Sequence, residues 1–368
     1  MILTLTALDT LFFRDGRPFD MGEDNWAETL ALPRPSTLYG ALRTWYAQQT
    51  HQNPQDCVEE TAKLRIKKIA YWMDGEMYYH LPMDYVEPKG KEGELEALRL
   101  FTGNVEQWAS SARYEALLIA SQPAEALPDG LVQADFMKAY VQGESIERPC
   151  YRRVKDIFTE EQKIGIGIDN QTYAVEEGKL FRTGMMRPNT AKHGVVKIVL
   201  DIDMEGGELP QEAETLIRLG GETKNVHVQA RQFSLADFEP NSEDEGTYFK
   251  IYLQTAAYFS EGWPKLALLF GDAVKELGIK PLTAAIGKPF RFGGYDMLIN
   301  KPKVTYSYVP AGSVFYYQIT KGNFKAVYQA YEQMNKPHSI HEGDGSKAGE
   351  GYGLFCLCNV KATGVDDG

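Results

Sequence analysis

Aromatic and basic side chains are interleaved in two short stretches of this chain. Residues 11–24 read LFFRDGRPFDMGED, and residues 286–296 read IGKPFRFGGYD. Single-stranded RNA is held by basic side chains that follow its phosphates and by aromatic rings that stack on its splayed bases. Both stretches carry these two types of residue beside glycine, so both are candidate RNA contacts.

The alternation of a β-strand predicts which of these side chains reach a ligand. In a strand, Phe290 and Phe292 share one face while Arg291 points to the other. The same alternation sends residues 12 and 13 to opposite faces, so at least one of these phenylalanines is expected in the core. A core role for Phe290 and Phe292 stays open as well. The arginines expected to meet phosphate are Arg14, Arg17 and Arg291.

A rival class, ribonucleases that use histidine as a general acid or base, finds little support in the sequence. His51 follows the first predicted helix but has no basic or nucleophilic companion nearby in sequence. The histidines of HSIH (338–341) follow a proline and precede a glycine-rich stretch, which favours a loop over a metal-binding helix. Walker A, G-x-S-x-G and H-E-x-x-H motifs are absent. We expect no catalytic residue, no metal and no cofactor, with a histidine-dependent, metal-independent endoribonuclease as the alternative.

The charge is acidic in total but unevenly distributed. Asp and Glu outnumber Lys and Arg by 51 to 39, for a net charge of −12, whereas nucleic-acid-binding domains are usually basic. Binding depends on local potential, and residues 148–192 hold nine Lys and Arg against six Asp and Glu. Residues 285–303 hold four against one. This pattern permits an RNA partner, and it leaves open a protein-only scaffold whose negative surface docks a basic partner.

Other features of the composition favour a cytoplasmic location. No apolar run approaches the ~20 residues that span a bilayer, and the first residues lack the basic region and cleavage site of a signal peptide. Four cysteines are too few for a disulfide framework in a chain of 368 residues.

Hydrophobic periodicity predicts the same order of elements twice. In the first half it predicts a strand at 2–10, a helix at 35–49, a strand at 194–204, a helix at 209–219 and a strand at 225–233. In the second half it predicts a strand at 247–259, a helix at 264–277, a β-rich stretch at 282–310, a strand at 312–320, a helix at 323–334 and a strand at 352–360. Both series fit β-α-β-β-α-β, so the predicted fold class is α+β with two tandem ferredoxin-like units.

Glycine-rich loops precede the last strand of each predicted unit, at 219–225 and 345–355. Glycine reaches positive φ and lets the backbone approach a ligand closely. The acidic stretch 237–246 is the predicted joint between the units. The predicted organisation is an N-terminal domain at 1–238, with an insertion at about 50–147 and a β-hairpin at about 150–187, and a C-terminal domain at 246–368.

This arrangement resembles the RAMP (repeat-associated mysterious protein) superfamily of CRISPR systems. Within it, an ordered set of stretches is similar to the family of third subunits of the type III-B (Cmr) effector, which holds the 5′ handle of the CRISPR RNA (crRNA). The stretches are LFFRDGRPF (11–19), LPRPSTLYGALRT (32–44), GIGIDNQTYAVEEGKLF (165–181), LGGET (219–223) and VPAGSVFYY (309–317). The resemblance runs from residue 1 to about 360, and the insertion is its least recognisable part.

The resemblance implies a non-catalytic, crRNA-binding subunit of a ribonucleoprotein that defends against foreign RNA and DNA. It implies three partners: the crRNA 5′ handle, a large subunit with polymerase-like palm domains, and an adjacent backbone RAMP subunit. The alternative within the superfamily is a crRNA-processing endoribonuclease. The RNA-binding residues expected from the resemblance and from the residue types together are Arg14, Arg17, Arg34, Arg152, Arg153, Arg182, Arg187, Gly220, Gly221, Lys224, Lys288, Arg291, Phe292, Gly349, Gly351 and Gly353.

Overall fold

The computed structural model describes most of the chain. The described residues are 1–14, 26–27, 29–53, 55–103, 115–144, 146, 150–169, 171–210, 214–231, 233–296, 300–361 and 365–366. Arg17, one of the predicted RNA contacts, lies outside these ranges. The described part consists mostly of strands with few helices, which confirms the α+β class.

The elements of the first half follow the chain from residue 2 to residue 231. They are β1 (Ile2–Ala7), β2 (Trp26–Ala27), α1 (Pro35–Gln49), α2 (Val58–Thr61), β3 (Leu64–Met73), β4 (Glu76–His80), β5 (Tyr85–Pro88), β6 (Glu96–Ala97), β7 (Arg99–Phe101), β8 (Leu117–Ile119), β9 (Ala124–Ala126), β10 (Gly130–Gln133), α3 (Ala134–Val141), β11 (Tyr151–Arg153), α4 (Val154–Ile157), β12 (Phe158–Ile168), β13 (Val175–Pro188), α5 (Thr190–His193), β14 (Lys197–Met204), β15 (Glu214–Arg218) and β16 (Asn225–Arg231).

The elements of the second half begin at residue 248. They are β17 (Tyr248–Leu253), β18 (Ala257–Tyr258), α6 (Ala267–Phe270), α7 (Ala273–Glu276), β19 (Ile279–Ala285), β20 (Phe290–Phe292), β21 (Tyr295–Asp296), β22 (Lys301–Pro302), β23 (Tyr306–Val309), β24 (Val314–Ile319), α8 (Phe324–Gln333), α9 (Ser346–Gly349), β25 (Phe355–Asn359) and β26 (Val365–Asp366).

Each half contains a sheet with the same central strand order. The first sheet has the order β11-β10-β4-β3-β14-β1-β16-β15, and the second has the order β19-β24-β17-β25. In the first sheet β1 lies between β14 and β16, and β3 flanks β14, all antiparallel. In the second sheet β17 lies between β24 and β25, and β19 flanks β24, again antiparallel. We number these four strands of each sheet by their order along the chain. In both sheets they then lie side by side in the order second, third, first, fourth.

Helix α1 covers the outer face of the first sheet. Pro35 at its first turn is pre-organised for a helix start. Leu38, Leu42 and Trp45 recur at helical spacing, and all three are buried in the core cluster that contains Leu3. The helix spans the residues that the sequence predicts, 35–49.

The two sheets share a core between their inner faces. In β1, Leu3 packs in the cluster with α1, whereas its neighbour Ile2 packs in a second cluster. In β17, Ile251 packs in a cluster with α8, whereas its neighbour Tyr252 joins the same second cluster as Ile2. Since neighbouring strand residues point to opposite faces, the sheets lie back to back with helices outside them.

The stretch around the predicted joint at 237–246 is held against the first half of the chain. Lys68 Nζ donates hydrogen bonds to the carbonyl oxygens of Leu235 (3.2 Å) and Ala236 (3.3 Å). The ring of Phe238 meets that of Tyr79 edge to face, with centroids 4.7 Å apart. The domain boundary itself stays a prediction.

Two helices predicted from the sequence are wrong. The segment predicted as a helix at 209–219 contains strand β15, which pairs with β16 and buries Ile217. Its helix-forming residues are overridden by this pairing at the sheet edge. The helix predicted at 264–277 is divided into α6 and α7, because Gly271 between them has φ +54° and ends the first turn.

Strands within the predicted insertion at 50–147 take part in the first sheet. β3, β4 and β10 all lie in it. The β3–β4 hairpin turns at Asp74 and Gly75, whose φ values of +54° and +85° suit a two-residue hairpin loop. The hairpin predicted at about 150–187 is formed by β12 and β13. Among the described residues, no helix has the length and apolar character to cross a membrane.

Candidate nucleic-acid interface

The residue that precedes α1 reaches the second half of the chain. Arg34 has an extended backbone before Pro35, and its carbonyl accepts a hydrogen bond from the N–H of Thr37 (2.9 Å). Its guanidinium carbon lies 4.0 Å from the ring centroid of Phe292 and 4.9 Å from that of Phe290. Such a contact typically contributes about 0.5–2 kcal/mol. It joins two motifs that the sequence singles out, LPRPSTLYG and IGKPFRFGG.

Strand β20 presents its phenylalanines on one face and an arginine on the other. It pairs with β23, and the ring of Phe290 stacks on Tyr308 with centroids 5.6 Å apart and planes at 12°. Phe290 and Phe292 are half-buried, whereas Arg291 is exposed. The alternation predicted from the sequence is therefore present, and Arg291 is the outward group.

A cavity of about 350 Å³ separates the first turns of α1 from the segment after β20. Ser36 and Thr37 line it from α1, and the rings of Phe292 and Tyr295 line it from the opposite side. The first turn of α1 carries no acidic residue, so the positive end of the helix dipole faces the cavity. The cationic residues on the walls are Arg43, Lys303 and Lys347. We call this cavity the cleft.

Two glycines shape one wall of the cleft. A Cβ on Gly293 would lie 2.6 Å from the carbonyl oxygen of Lys303, which no side chain tolerates. Gly294 has φ +83°, and its carbonyl accepts a hydrogen bond from the Lys303 N–H (3.0 Å). The glycine pair therefore allows the close approach that holds the backbone of Lys303 at the cleft.

The second glycine-rich loop packs against the first half. Gly349, Gly351 and Gly353 are all buried. A Cβ on Gly349 would lie 3.0 Å from Arg65 Nη1, and one on Gly351 would lie 3.1 Å from Ile66. Gly349 and Gly351 therefore serve close packing on β3, and an RNA contact by any of the three glycines stays a prediction.

An ion pair in that loop reaches the wall of the cleft. Lys347 Nζ donates to both carboxylate oxygens of Glu350, at 3.0 and 2.7 Å, and both side chains are almost fully buried. The hydroxyls of Tyr352 and Ser36 are hydrogen-bonded at 3.0 Å. Burial raises the pKa of Tyr352 to about 12, so the hydroxyl stays protonated. The Glu350 carboxylate on the cleft wall is thus neutralised by Lys347 of the same loop.

The histidine behind the cleft is neutral. His341 stacks on Tyr308, with ring centroids 5.7 Å apart and planes at 22°, and its Nδ1 accepts from the Tyr258 N–H (3.1 Å). Burial lowers the pKa of His341 to about 4. It contributes packing rather than charge at neutral pH.

A second group of predicted residues meets at the base of the β12–β13 hairpin. Asp9 accepts ion pairs from Lys224 Nζ (3.1 Å) and Arg187 Nη2 (3.0 Å). Arg187 also binds Glu161, with Nη2 3.0 Å from Oε2. We call this group, together with Lys163, the hairpin-base cluster.

The electrostatics of the hairpin-base cluster favour an added anion. A hydrogen bond from the Thr10 backbone N–H, followed by Lys224, lowers the pKa of Asp9 to about 2. Contact with Lys224 lowers the pKa of Lys163, because two ammonium groups repel each other. A phosphate between the two lysines would relieve that repulsion.

The first glycine-rich loop packs on the opening aromatic stretch. Gly220 has φ +80°, and a Cβ there would lie 2.3 Å from the carbonyl oxygen of Phe12. That oxygen accepts a hydrogen bond from the Gly221 N–H (2.9 Å). Phe12 and Phe13 are both buried, whereas Arg14 is exposed. Both phenylalanines are therefore core residues.

Two of the remaining predicted arginines are held in ion pairs within the first half. Arg153 binds Glu87 (Nη2 to Oε2, 2.5 Å), and Arg152 lies 3.7 Å from an Asp74 carboxylate oxygen. These two arginines hold β11 against neighbouring elements. The predicted cationic residues that are exposed are Arg14, Arg182, Arg187, Lys288 and Arg291.

Of the predicted residues, the structure brings Arg34 and Phe292 together at the cleft and Arg187 and Lys224 together in the hairpin-base cluster, and the others that it describes lie outside both sites. The sequence-based selection of residues missed Lys303, which lines the cleft, and Lys163, which lies in the cluster. The signal that could have found them is the local excess of basic residues at 285–303 and 148–192. Tyr295 stands in the quoted stretch 286–296 but was not selected.

A family model of CRISPR-associated proteins matches residues 3–359 of the chain. The chain belongs to the family described as "CRISPR-associated protein (Cas_Cmr3)". This confirms the resemblance seen in the sequence and makes the chain a subunit of the type III-B (Cmr) CRISPR effector. Comparison with curated proteins finds no match.

The chain is also similar to solved structures at low identity. A chain of the type III-B Cmr-beta complex bound to cognate target RNA and AMPPnP is 17% identical, with 86% of each chain covered and a TM-score of 0.49. The same complex bound to cognate target RNA gives the same values. A chain of the Csm3–Csm4 subcomplex of the type III-A interference complex is 11% identical, with 88% of this chain and 98% of that chain covered and a TM-score of 0.34.

Proposed function

We propose that this chain is a non-catalytic RNA-binding subunit of its effector complex and that it holds the 5′ handle of the crRNA. The observation that carries the proposal is the cleft. It combines the positive end of α1 with aromatic rings and the side chain of Lys303, in a protein whose net charge is −12. Diffuse surface charge cannot attract RNA to such a chain, so a local site must supply the attraction.

The chemistry of the cleft suits one nucleotide of a single strand. Hydroxyls of Ser36 and Thr37 and the ammonium of Lys303 are donors for a phosphate, and the ring of Tyr295, half exposed, is a surface for a base. A cavity of about 350 Å³ is of the size that small ligands occupy. The Arg34–Phe292 contact holds the wall in place before RNA arrives.

The hairpin-base cluster supplies a second phosphate contact in the proposal. Lys163 and Lys224 repel each other there, and Arg187 adds a third cationic side chain beside Asp9 and Glu161. A phosphate that bridges the lysines would gain two charge-assisted hydrogen bonds. The cleft and the cluster would then hold separate parts of one strand.

Two of the histidines, His51 and His193, support a non-catalytic role. His51 is exposed at the end of α1, and its N–H donates to the Gln48 carbonyl oxygen (3.3 Å). His193 faces Asp74 at 3.2 Å, the kind of pair that general-base catalysis uses, but its side chain is only 4% exposed. RNA cannot reach it without unfolding.

The same proposal includes the type of fold, the partner subunits and the location of the complex. The two groups of four strands that share one strand order belong to ferredoxin-like units. Before its last strand, the first unit has strand β15 where the second unit has helix α8. The partners are the large polymerase-like subunit and an adjacent backbone RAMP subunit, and the complex is cytoplasmic.

Binding to labelled handle RNA tests the proposal. We expect the purified chain to bind RNA that carries the handle more tightly than RNA with the handle scrambled, measured by fluorescence anisotropy. Lys303→Ala should weaken binding, whereas Lys321→Ala, an exposed lysine beyond the far end of β24, should leave it unchanged. Equal affinity for both RNAs, or equal loss from both variants, would refute a handle site in the cleft.

A further inference from the structure

The β12–β13 hairpin carries an exposed apolar face. Ile164, Ile166 and Ile168 are 66%, 49% and 52% exposed. Alternate residues of a strand share a face, so the three side chains form one stripe. Across the hairpin, Ile168 pairs with Val175, which is 61% exposed. Contiguous exposed apolar surface of this kind marks an interaction site.

The strand that carries the stripe has a free edge. β12 lies at the edge of the sheet β12-β13-β2. From residue 164 to residue 168 it reads IGIGI, with neither charge nor proline. Natural edge strands usually carry charge, proline or a bulge that blocks pairing with another chain. Over these five residues the edge lacks charge and proline, and the irregularity between Ile166 and Ile168 lies in the pairing with β13 on the other side of the strand. The outer edge can therefore accept an added strand.

The two faces of the hairpin differ in chemistry. Lys163 and Arg187 belong to the opposite face, because Lys163 alternates with Ile164 and Arg187 pairs with Thr159. They meet Asp9 and Lys224 there. RNA is suited to that basic face, since isoleucine offers neither a ring for stacking nor a donor for phosphate. The apolar stripe therefore calls for a protein.

The charge on the apolar face specifies the partner further. Arg182 pairs with Ile164 across the hairpin and is exposed. Among the residues whose side chains the structure describes, no carboxylate is ion-paired with it. A partner that supplies an Asp or Glu at this point would complement it. A second copy of this chain is disfavoured, because each copy carries a net charge of −12.

We propose that the free edge of β12 binds an extended segment of a different protein subunit by strand addition. Alternate apolar side chains of that segment cover Ile164, Ile166 and Ile168, and a carboxylate on it pairs with Arg182. The inference goes beyond RNA binding and rests on the proposed function only in placing the partner among the subunits of the same effector.

Co-expression with the other subunits of the effector, one at a time, tests this inference. A tagged wild-type chain should retain one subunit through purification. The double variant Ile164→Glu/Ile166→Glu should lose at least tenfold in affinity for it, and Arg182→Glu should lose affinity as well. Leu268→Glu is the matched control, since Leu268 is an exposed apolar residue (44%) on α6. Circular dichroism and thermal melting should show that all variants fold.

The possible outcomes separate this inference from the RNA-binding role. Undiminished affinity of both hairpin variants for the subunit would overturn strand addition at β12. If the double variant lost RNA affinity instead, the stripe would be an RNA contact. If light scattering showed a wild-type dimer that the variant dissociates, the occupant would be a second copy. A wild-type chain that retains no subunit would overturn the inference and the proposed assembly together, whereas loss of the subunit with RNA affinity unchanged supports the inference.

Discussion

The guanidinium of Arg34 lies 4.0 Å from the ring centroid of Phe292, although the two residues belong to different halves of the chain. Arg34 ends the segment before α1, and Phe292 ends β20. Their contact fixes the distance between the helix start and the aromatic wall, and the cleft lies between these two elements. The site proposed to bind RNA is therefore formed by the way the halves pack.

A double-mutant cycle measures this contact. Arg34→Ala and Phe292→Leu should each lower the free energy of unfolding, and the pair should be coupled by about 0.5–2 kcal/mol, as expected for a partly desolvated cation–π contact. Urea denaturation of the four proteins gives the coupling. Additive effects of the two changes would show that the contact does not stabilise the cleft.

A buried ion pair should hold the halves together. Lys250 Nζ in β17 lies 2.8 Å from Asp84, which follows β4, and the two side chains are 10% and 2% exposed. The hydroxyls of Tyr140 (2.9 Å) and Tyr316 (2.6 Å) also donate to the Asp84 carboxylate. Asp84→Ala should cost about 3–5 kcal/mol, because it leaves an unpaired buried ammonium.

The matched control for Asp84 is a surface pair. Lys325 and Glu243 lie 2.6 Å apart with side chains 41% and 70% exposed, so Glu243→Ala should cost at most about 1 kcal/mol.

After proteolytic cleavage in 237–246, the wild-type fragments should co-elute in size exclusion, since the sheets share a core. Fragments that separate in the wild type would show that the halves are independent domains.

Acid should destabilise the protein through His341. Its pKa is about 4 when folded and about 6.5 when unfolded, so the folded state favours the neutral ring. This stabilisation is present above pH 6.5 and is lost as the pH falls towards 4, with an upper limit of about 3 kcal/mol. His341→Phe keeps an aromatic ring and removes the titration. Its unfolding free energy should fall less than that of the wild type between pH 6.5 and 4, and equal losses would contradict the assignment. Burial also lowers the pKa of His80 to about 4. His80 is present in the wild type and in the His341→Phe variant, so it titrates in both.

Catalysis by the isolated chain is the clearest alternative to the proposed function. Incubation with repeat-containing RNA in EDTA should give no specific cleavage, because His51 has no acid–base companion adjacent in sequence. Specific cleavage that His51→Ala abolishes would establish the endoribonuclease alternative.

The sequence predicts those parts of the fold whose signals are local. Pro35 and the apolar stripe Leu38–Leu42–Trp45 predict α1 to its last residue. The side chain of Asn323 caps α8 by accepting from the Ala326 N–H (3.2 Å), at the start that the sequence predicts.

Features that depend on distant residues were not predictable. The segment EAETLIRL (212–219) contains good helix formers, and only pairing with β16 makes residues 214–218 a strand. Both Phe12 and Phe13 are buried because the loop at Gly220 covers the first of them. Periodicity places Lys250 in a strand, but it does not show that Asp84 lies opposite.

The salt dependence of handle-RNA binding tests the central claim most directly. If the cleft and the hairpin-base cluster bind phosphates, log K should fall with log salt by about 0.7 for each phosphate neutralised on a single strand. Lys303→Ala in the cleft and Lys163→Ala in the cluster should each flatten that slope by about this amount, and Lys321→Ala should leave it unchanged. An affinity that ignores salt and both site substitutions would contradict the account, because it would assign the RNA contact to another subunit and leave this chain a protein scaffold.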